Sequence, residues 1–370
     1  MGEPAMADGN EAKLEAARGW FKEAQYGLMV HWGLYALLGG EWRGRVMPGI
    51  GEWAQAYFRI SNAEYAALAR AFDPVLFDAD EWVQIARDAG MRYVVFTSKH
   101  HDGFAMFRSK VSAFNVVDAT PFGRDVVGEL AEACRKHGLR LGLYYSQDLD
   151  WSHPDGGGYM RPDDWGGGSS WTNSWDFPDR SRKDFARYFE EKAKPQVEEI
   201  LTQYGDLALI WFDIGSTLTE DQAFDLYSLV RRHQPGSLVN SRIGGGSRQG
   251  TNRRIVCDYT SSGDNEIPTD DKSGMLYESC ATLNDSWGYK PTDQNWKSAE
   301  KVRATREHLR ALGANYLLNV GPDALGRIPA PAAQILRDAA PDAERKGPFG
   351  TREKSVVELR KINGRWKIVN

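Results

Sequence analysis

Ala208-Leu209-Ile210-Trp211-Phe212-Asp213 is a short apolar run that ends in an aromatic pair and then a carboxylate. Its length and composition predict a buried strand with Asp213 at its lip. A carboxylate there is costly to desolvate unless it is hydrogen bonded or used, so an acid at the end of a parallel strand is a candidate catalytic group. Other apolar runs in the chain end in the same manner, in His, Tyr, Arg, Glu or Asn.

Outward from this run, eight β-type segments alternate with amphipathic ones. The strands are expected at Tyr26 to His31, Arg92 to His100, Leu139 to Tyr145, Leu207 to Asp213, Leu238 to Arg242, Ile255 to Tyr259, Met275 to Glu278 and Asn315 to Val320. Helical periodicity runs over Asn62 to Phe72, Asp78 to Ala89, Asp125 to His137, Arg180 to Tyr204, Asp221 to His233 and Ala299 to Leu312. Asp78 and Ser298 read as N-caps, and Gly90, Gly138, Gly205 and Gly313 fall where glycines end helices. The alternation predicts an α/β fold, an irregular (β/α)8 TIM-like barrel disturbed around strands five to seven. An open doubly wound sheet fits less well, because no Gly-rich phosphate loop follows the first strand.

The organisation reads as an N-terminal extension over 1–19, a catalytic barrel over 20–350 and a short tail over 351–370. The alternating tail and its Asn363-Gly364 pair predict one hairpin. Gln147 to Pro178 is a long loop with two triple-glycine runs and the tryptophans Trp151, Trp165, Trp171 and Trp175, which suits a lid or a sugar platform.

The 370 residues carry a formal net charge of -5, which gives no basic face for nucleic acid. No apolar run is long enough to span a membrane. Met1 to Asn10 lacks the features of a signal peptide. The sequence as it stands therefore suits the cytoplasm, and a secreted or periplasmic protein only if a signal was removed. Cys134, Cys257 and Cys280 are widely spaced and predict free thiols, neither a disulfide framework nor a zinc site. The 13 Trp, 15 Tyr and 15 Phe often stand beside Gly, Asp or Asn, a pattern suited to sugar rings.

In a barrel the C-terminal strand ends converge on one pocket. They bring His31, His100, His101, Tyr144, Asp213, Arg242, Glu278 and Asn319 forward as site candidates, with Asp258, Asp264 and Glu266 beside the sixth strand. Acids, imidazoles, a guanidinium and indoles, with no serine or cysteine nucleophile motif, suit acetal chemistry. Adjacent strand residues point to opposite faces, so His100 and His101 are expected to bind hydroxyls instead of sharing a metal. Neither a metal nor an organic cofactor is implied.

Gly27-Leu28-Met29-Val30-His31-Trp32-Gly33, Lys99-His100-His101-Asp102-Gly103-Phe104, Gly142-Leu143-Tyr144-Tyr145-Ser146, Trp211-Phe212-Asp213, Ser286-Trp287-Gly288-Tyr289 and Asn315-Tyr316-Leu317-Leu318-Asn319-Val320-Gly321-Pro322 follow one another in an informative order. Together they resemble the retaining α-L-fucosidases of glycoside hydrolase family 29, over about Trp20 to Gly350. The resemblance implies Asp213 as nucleophile and a sugar-binding set of His31, Glu52, Trp53, His100, His101, Tyr144, Trp211, Arg242 and Trp287. Glu41-Trp42 offers the same dipeptide as Glu52-Trp53.

The acid/base varies among members of that family, and here three residues compete: Glu266 first, Glu278 second and Asp264 third. Many members carry a C-terminal β-sandwich, which is expected to be absent here. The implied activity is exo-hydrolysis of terminal α-L-fucosyl residues from an oligosaccharide or glycoconjugate, with a homo-oligomer compatible. An α-L-galactosidase, another L-sugar glycosidase, or an inactive fucose-binding protein are the alternatives.

Overall fold

The computed structural model describes residues 8–158, 172–177, 180–247 and 250–341, and two strands near the C-terminus, Glu358–Ile362 and Arg365–Val369, which pair antiparallel. Eight parallel strands form one sheet: β1 (Tyr26–Val30), β2 (Tyr93–Lys99), β3 (Arg140–Tyr145), β4 (Leu209–Phe212), β5 (Leu238–Val239), β6 (Thr260–Ser261), β7 (Tyr277–Thr282) and β8 (Asn315–Val320). The spatial order is β5-β4-β3-β2-β1-β8-β7-β6. A single parallel bridge, Asn240 to Tyr259, links the two edges. This is the expected TIM-like barrel, and its irregularity lies where it was expected: β5 and β6 have two residues each.

Helices follow the apolar periodicity, and several start on side-chain caps. Asp78 accepts from Glu81 N at 3.1 Å, Asp125 from Gly128 N at 3.0 Å, and Ser298 from Lys301 N at 3.2 Å. Gly90, Gly138, Gly205 and Gly313 all adopt positive φ. The segment expected as one helix from Arg180 to Tyr204 is instead broken into a 3-10 turn, a short α-helix, a π-turn at Phe189–Ala193 and an α-helix at Lys194–Gln203. The π-turn brings Lys192 onto the buried Asp150 at 2.7 Å, a contact that regular periodicity does not announce.

Inside the barrel Met29, Tyr93, Val95, Tyr144, Leu209, Trp211, Leu238, Tyr259, Cys280 and Leu317 pack together. Helix α1 (Asp8–Ala24) closes the N-terminal mouth with Leu14, Ala17 and Phe21, whose ring lies 4.7 Å from that of Tyr259. The open end of the barrel is therefore the C-terminal one.

The first four strands lie within one or two residues of expectation, whereas the limits of the fifth, sixth and seventh differ in ways that matter for the site. The fifth strand stops at Val239, so Arg242 sits in the 3-10 turn Ser241–Ile243 and not on a strand. The sixth begins after Tyr259. The seventh continues from Tyr277 through Ser279-Cys280-Ala281-Thr282, mostly small residues that the register of β8 pairs.

Where β5 ends, Asn240 replaces the ladder. Its Oδ1 accepts from Phe212 N at 3.0 Å and its Nδ2 donates to Phe212 O at 2.9 Å. The residue before Asp213 is thus held by a buried side-chain amide. Asn240→Leu leaves both backbone groups unpaired and is expected to cost about 2 to 4 kcal/mol of stability, read from urea unfolding midpoints. A midpoint equal to that of the wild type would reject this account.

Candidate active site

A cavity of about 510 Å³ opens at the C-terminal end of the strands. Its lining includes His31, Glu52, Trp53, His100, His101, Tyr144, Trp211, Asp213, Arg242 and Trp287, which is the nucleophile candidate and the whole expected sugar-binding set. Glu41, of the rival dipeptide, is exposed on a two-residue strand and does not line it. Ile214, Ser216, Leu218 and Gly244 to Gly246 extend the wall on one side.

Arg242 is the hub. Nη1 donates to Asp213 Oδ1 at 3.1 Å, while Nη2 donates to Asp264 Oδ1 at 2.7 Å, to Ser262 O at 2.6 Å and to Cys280 Sγ at 3.2 Å. The guanidinium carbon lies 4.6 Å over the ring of Trp211. The second oxygen of Asp213 accepts from Tyr144 OH at 3.0 Å and faces His101 Nε2 at 3.8 Å. Burial raises the Asp213 carboxyl above its ordinary pKa; the Arg242 guanidinium opposes this and the charge of Asp264 adds to it.

The three acid/base candidates part company here. Asp264 lines the cavity, with its side chain 43% exposed at the mouth. Glu266 does not line it: its Oε2 turns back to accept from Gly263 N at 2.9 Å. Glu278 does not line it either. Because β7 runs on for four residues beyond it, Glu278 is near the start of its strand, sealed inside the barrel and not at its lip. Of the three, only Asp264 faces the cavity.

His100 and His101 correct a second expectation. Both line the cavity, and their rings lie 4.1 Å apart. They follow the last residue of β2, so strand alternation no longer applies to them. His101 Nδ1 is 2.7 Å from Ser146 Oγ, whose own proton goes to Leu149 O at 2.9 Å. That chain assigns the proton to His101 Nδ1 and leaves the Nε2 lone pair toward the cavity. His31 Nδ1 meets Asn319 Oδ1 at 2.7 Å, and Asn319 Nδ2 donates to Trp287 O at 2.7 Å. Glu52 Oε2 accepts from Gly288 N at 2.8 Å, and burial raises its carboxyl to about 7.

Gln147 was missed from sequence. Fully buried, it accepts from Asp213 N at 3.0 Å and donates to the carbonyls of Arg242 at 3.3 Å and Ile243 at 3.0 Å. Its only signal was its place directly after the third strand. Trp151 and Trp175 of the long loop do not line the cavity. Trp151 packs its ring 5.2 Å from that of Trp53 and 5.6 Å from that of His101, so it braces the site and is not a sugar platform. Trp165 and Trp171 lie outside the described residues.

A family model described as Alpha-L-fucosidase matches residues 4–341. The chain belongs to the α-L-fucosidase family. Among solved members, the unliganded α-L-fucosidase AlfC from Lactobacillus casei shares 52% identity at a TM-score of 0.82, with 88% of this chain and 97% of that one covered. A point variant of AlfC has been solved in complex with Fuca(1,6)GlcNAc, at 51% identity, TM-score 0.81 and coverage of 87% and 96%. The tissue α-L-fucosidase of Mus musculus is 31% identical over 330 residues, which are 84% of this chain and 66% of that protein. The α-L-fucosidase of Dictyostelium discoideum is 29% identical over 326 residues, with the same coverage. The chain thus spans just under two thirds of the length of these two curated fucosidases.

Burial holds the imidazoles of this fucosidase-family site neutral. It lowers His31 to about 4 and His100 and His101 well below the ordinary histidine value. Of the seven histidines, these three should keep constant ring-proton NMR shifts between about pH 8 and about pH 5.5, where a free imidazole titrates. A midpoint near 6.5 for two of them would show a wet, uncollapsed pocket.

Proposed function

We propose that this chain is a retaining exo-α-L-fucosidase that removes terminal α-L-fucosyl residues from oligosaccharides or glycoconjugates. The observation that carries the reading is the single guanidinium of Arg242 holding two carboxylates, Asp213 deep in the cavity and Asp264 at its mouth. Two acids bonded to one guanidinium can face the same glycosidic bond, as the paired carboxyls of glycoside hydrolysis must.

In the first step Asp213 attacks C1 of the sugar from one face, and Asp264, protonated, donates to the departing glycosidic oxygen. A covalent fucosyl-enzyme forms and the aglycone leaves. Asp264, now a carboxylate, takes a proton from water as the water attacks C1, and Asp213 is released.

Neutral His31, His100 and His101 would bind ring hydroxyls, as donors or acceptors according to tautomer. Trp287, with its ring 5.2 Å from that of His31, would cover the apolar C5 methyl of fucose. The wall from Ile214 to Leu218 would meet the aglycone. The AlfC complex makes Fuca(1,6)GlcNAc the first disaccharide to try.

NMR-monitored cleavage of 4-nitrophenyl α-L-fucoside should release the α-anomer first; β-anomer first would overturn the retaining role of Asp213. Asp213→Ala should lower kcat on the order of a thousandfold or more. Asp264→Asn should harm the disaccharide far more than the nitrophenyl substrate, whose leaving group needs little protonation. Glu266→Gln should stay within about twofold of wild type, since its carboxyl does not face the cavity; a loss selective for the disaccharide in Glu266→Gln would return the acid role to that residue.

A further inference from the structure

Among the described residues no cation contacts the buried carboxyl of Glu278, and the mechanism above does not use it. Its two oxygens have separate partners: Oε2 accepts from Tyr93 OH at 2.7 Å and Oε1 from Trp211 Nε1 at 2.9 Å. Tyr93 is closed off from below by the rings of Trp20 and Phe21, at 5.9 and 6.1 Å. An acid this deep is expensive to keep unless it holds something in place.

What it holds is Trp211. One neighbour of that ring is Tyr144, stacked at 5.5 Å and 17°, and Tyr144 OH donates to Asp213. The other is the Arg242 guanidinium, 4.6 Å above the ring. Trp211 therefore touches both groups that orient the nucleophile, and its single polar atom is anchored by Glu278. We propose that Glu278 is a positioning residue for the nucleophile, holding Trp211 by its indole N–H so that the ring seats Arg242 between Asp213 and Asp264. Burial raises the Glu278 carboxyl to about 7, with Tyr93, Trp211 and Arg242 opposing the shift. In either protonation state an oxygen remains to accept the indole N–H.

The inference rests on the fucosidase reading, and two measurements keep the two apart. In kinetics, Glu278→Leu removes the acceptor and should lower kcat roughly 10- to 100-fold with KM within about threefold. The fall should be equal for 4-nitrophenyl α-L-fucoside and Fuca(1,6)GlcNAc. Glu278→Gln keeps an acceptor oxygen and should recover kcat to within about threefold of wild type. Should Glu278→Leu not fold, Trp211→Phe removes the indole N–H with Glu278 intact and should lower kcat by a similar factor for both substrates. A folded Glu278→Leu with unchanged kcat overturns the proposal, and so does a loss confined to the disaccharide, which would mark Glu278 as the acid itself.

The second readout needs no substrate. The Trp211 indole proton should be protected from exchange, and its resonance should move on Glu278→Gln. An unprotected, unmoved resonance overturns the proposal even if the wild type proves inactive on fucosides, whereas inactivity alone counts only against the fucosidase reading.

Discussion

One cation between two anions sets the terms for the rest of this structure. Two like charges brought close together repel, and the penalty grows as water is excluded. Arg242 removes that penalty, but only if it stays between Asp213 and Asp264 while itself largely desolvated. Its position is secured by Ser262 O, Cys280 Sγ and the face of Trp211. The irregular quarter of the barrel follows from this requirement. A regular fifth strand would carry residue 242 along the wall; stopping at Val239 and turning through Ser241–Ile243 swings the guanidinium inward. The turn also passes so close to the next loop that a Cβ on Gly215 would lie 2.3 Å from the Cα of Gly244, so both positions need glycine.

Asp213 stands just beyond the end of β4, where no ladder fixes the backbone. Side chains do it instead: Asn240 holds Phe212 on both backbone groups, and Gln147 holds Asp213 N while tying down the carbonyls of Arg242 and Ile243. The next residue, Ile214, has φ of 48°, a conformation that a β-branched side chain rarely adopts. Such strain persists where the surroundings over-determine the chain. Here the surroundings include Asp148, which accepts from Thr217 N at 2.5 Å and Gly158 N at 2.8 Å and so ties the loop after β4 to the loop after β3.

Strand alternation and helix punctuation made the barrel legible from sequence, and with it every candidate that lies at a regular strand end. His31, Tyr144 and Asp213 could be read from period and position alone, because the end of a parallel strand has only one place to go. The failures share a cause, which is that periodicity stops where loops begin. His100 and His101 were assigned opposite faces by a rule that ended one residue earlier, at Lys99. Glu278 was taken for a strand end because Ser279-Cys280-Ala281-Thr282 lacks strand-forming bulk, yet pairing with β8 carries the strand through. Asp264 and Glu266 differ by the turn at Asn265, whose φ of 58° and bonds to Thr282 decide which acid faces inward. No local pattern encodes that choice.

The groups around the catalytic centre are ionisable but mostly uncharged, and this has a purpose that stability alone does not explain. Glu52 titrates near 7 in the folded protein, above its free value, so the stability it contributes is fully present below the unfolded pKa and is lost as pH rises through 7. His31 titrates near 4, below its free value, so its contribution is present above about 6.5 and is lost as pH falls toward 4. The two dependences run in opposite directions and flatten one another across mildly acid pH. In the same interval both groups are neutral, while Arg242 keeps its ion pairs to Asp213 and Asp264. A neutral shell offers hydrogen-bonding groups without a competing charge, and it leaves the local field to Asp213, Asp264 and the guanidinium between them. Burial is therefore not incidental to the site: it silences the titratable groups that surround the Asp213–Arg242–Asp264 cluster.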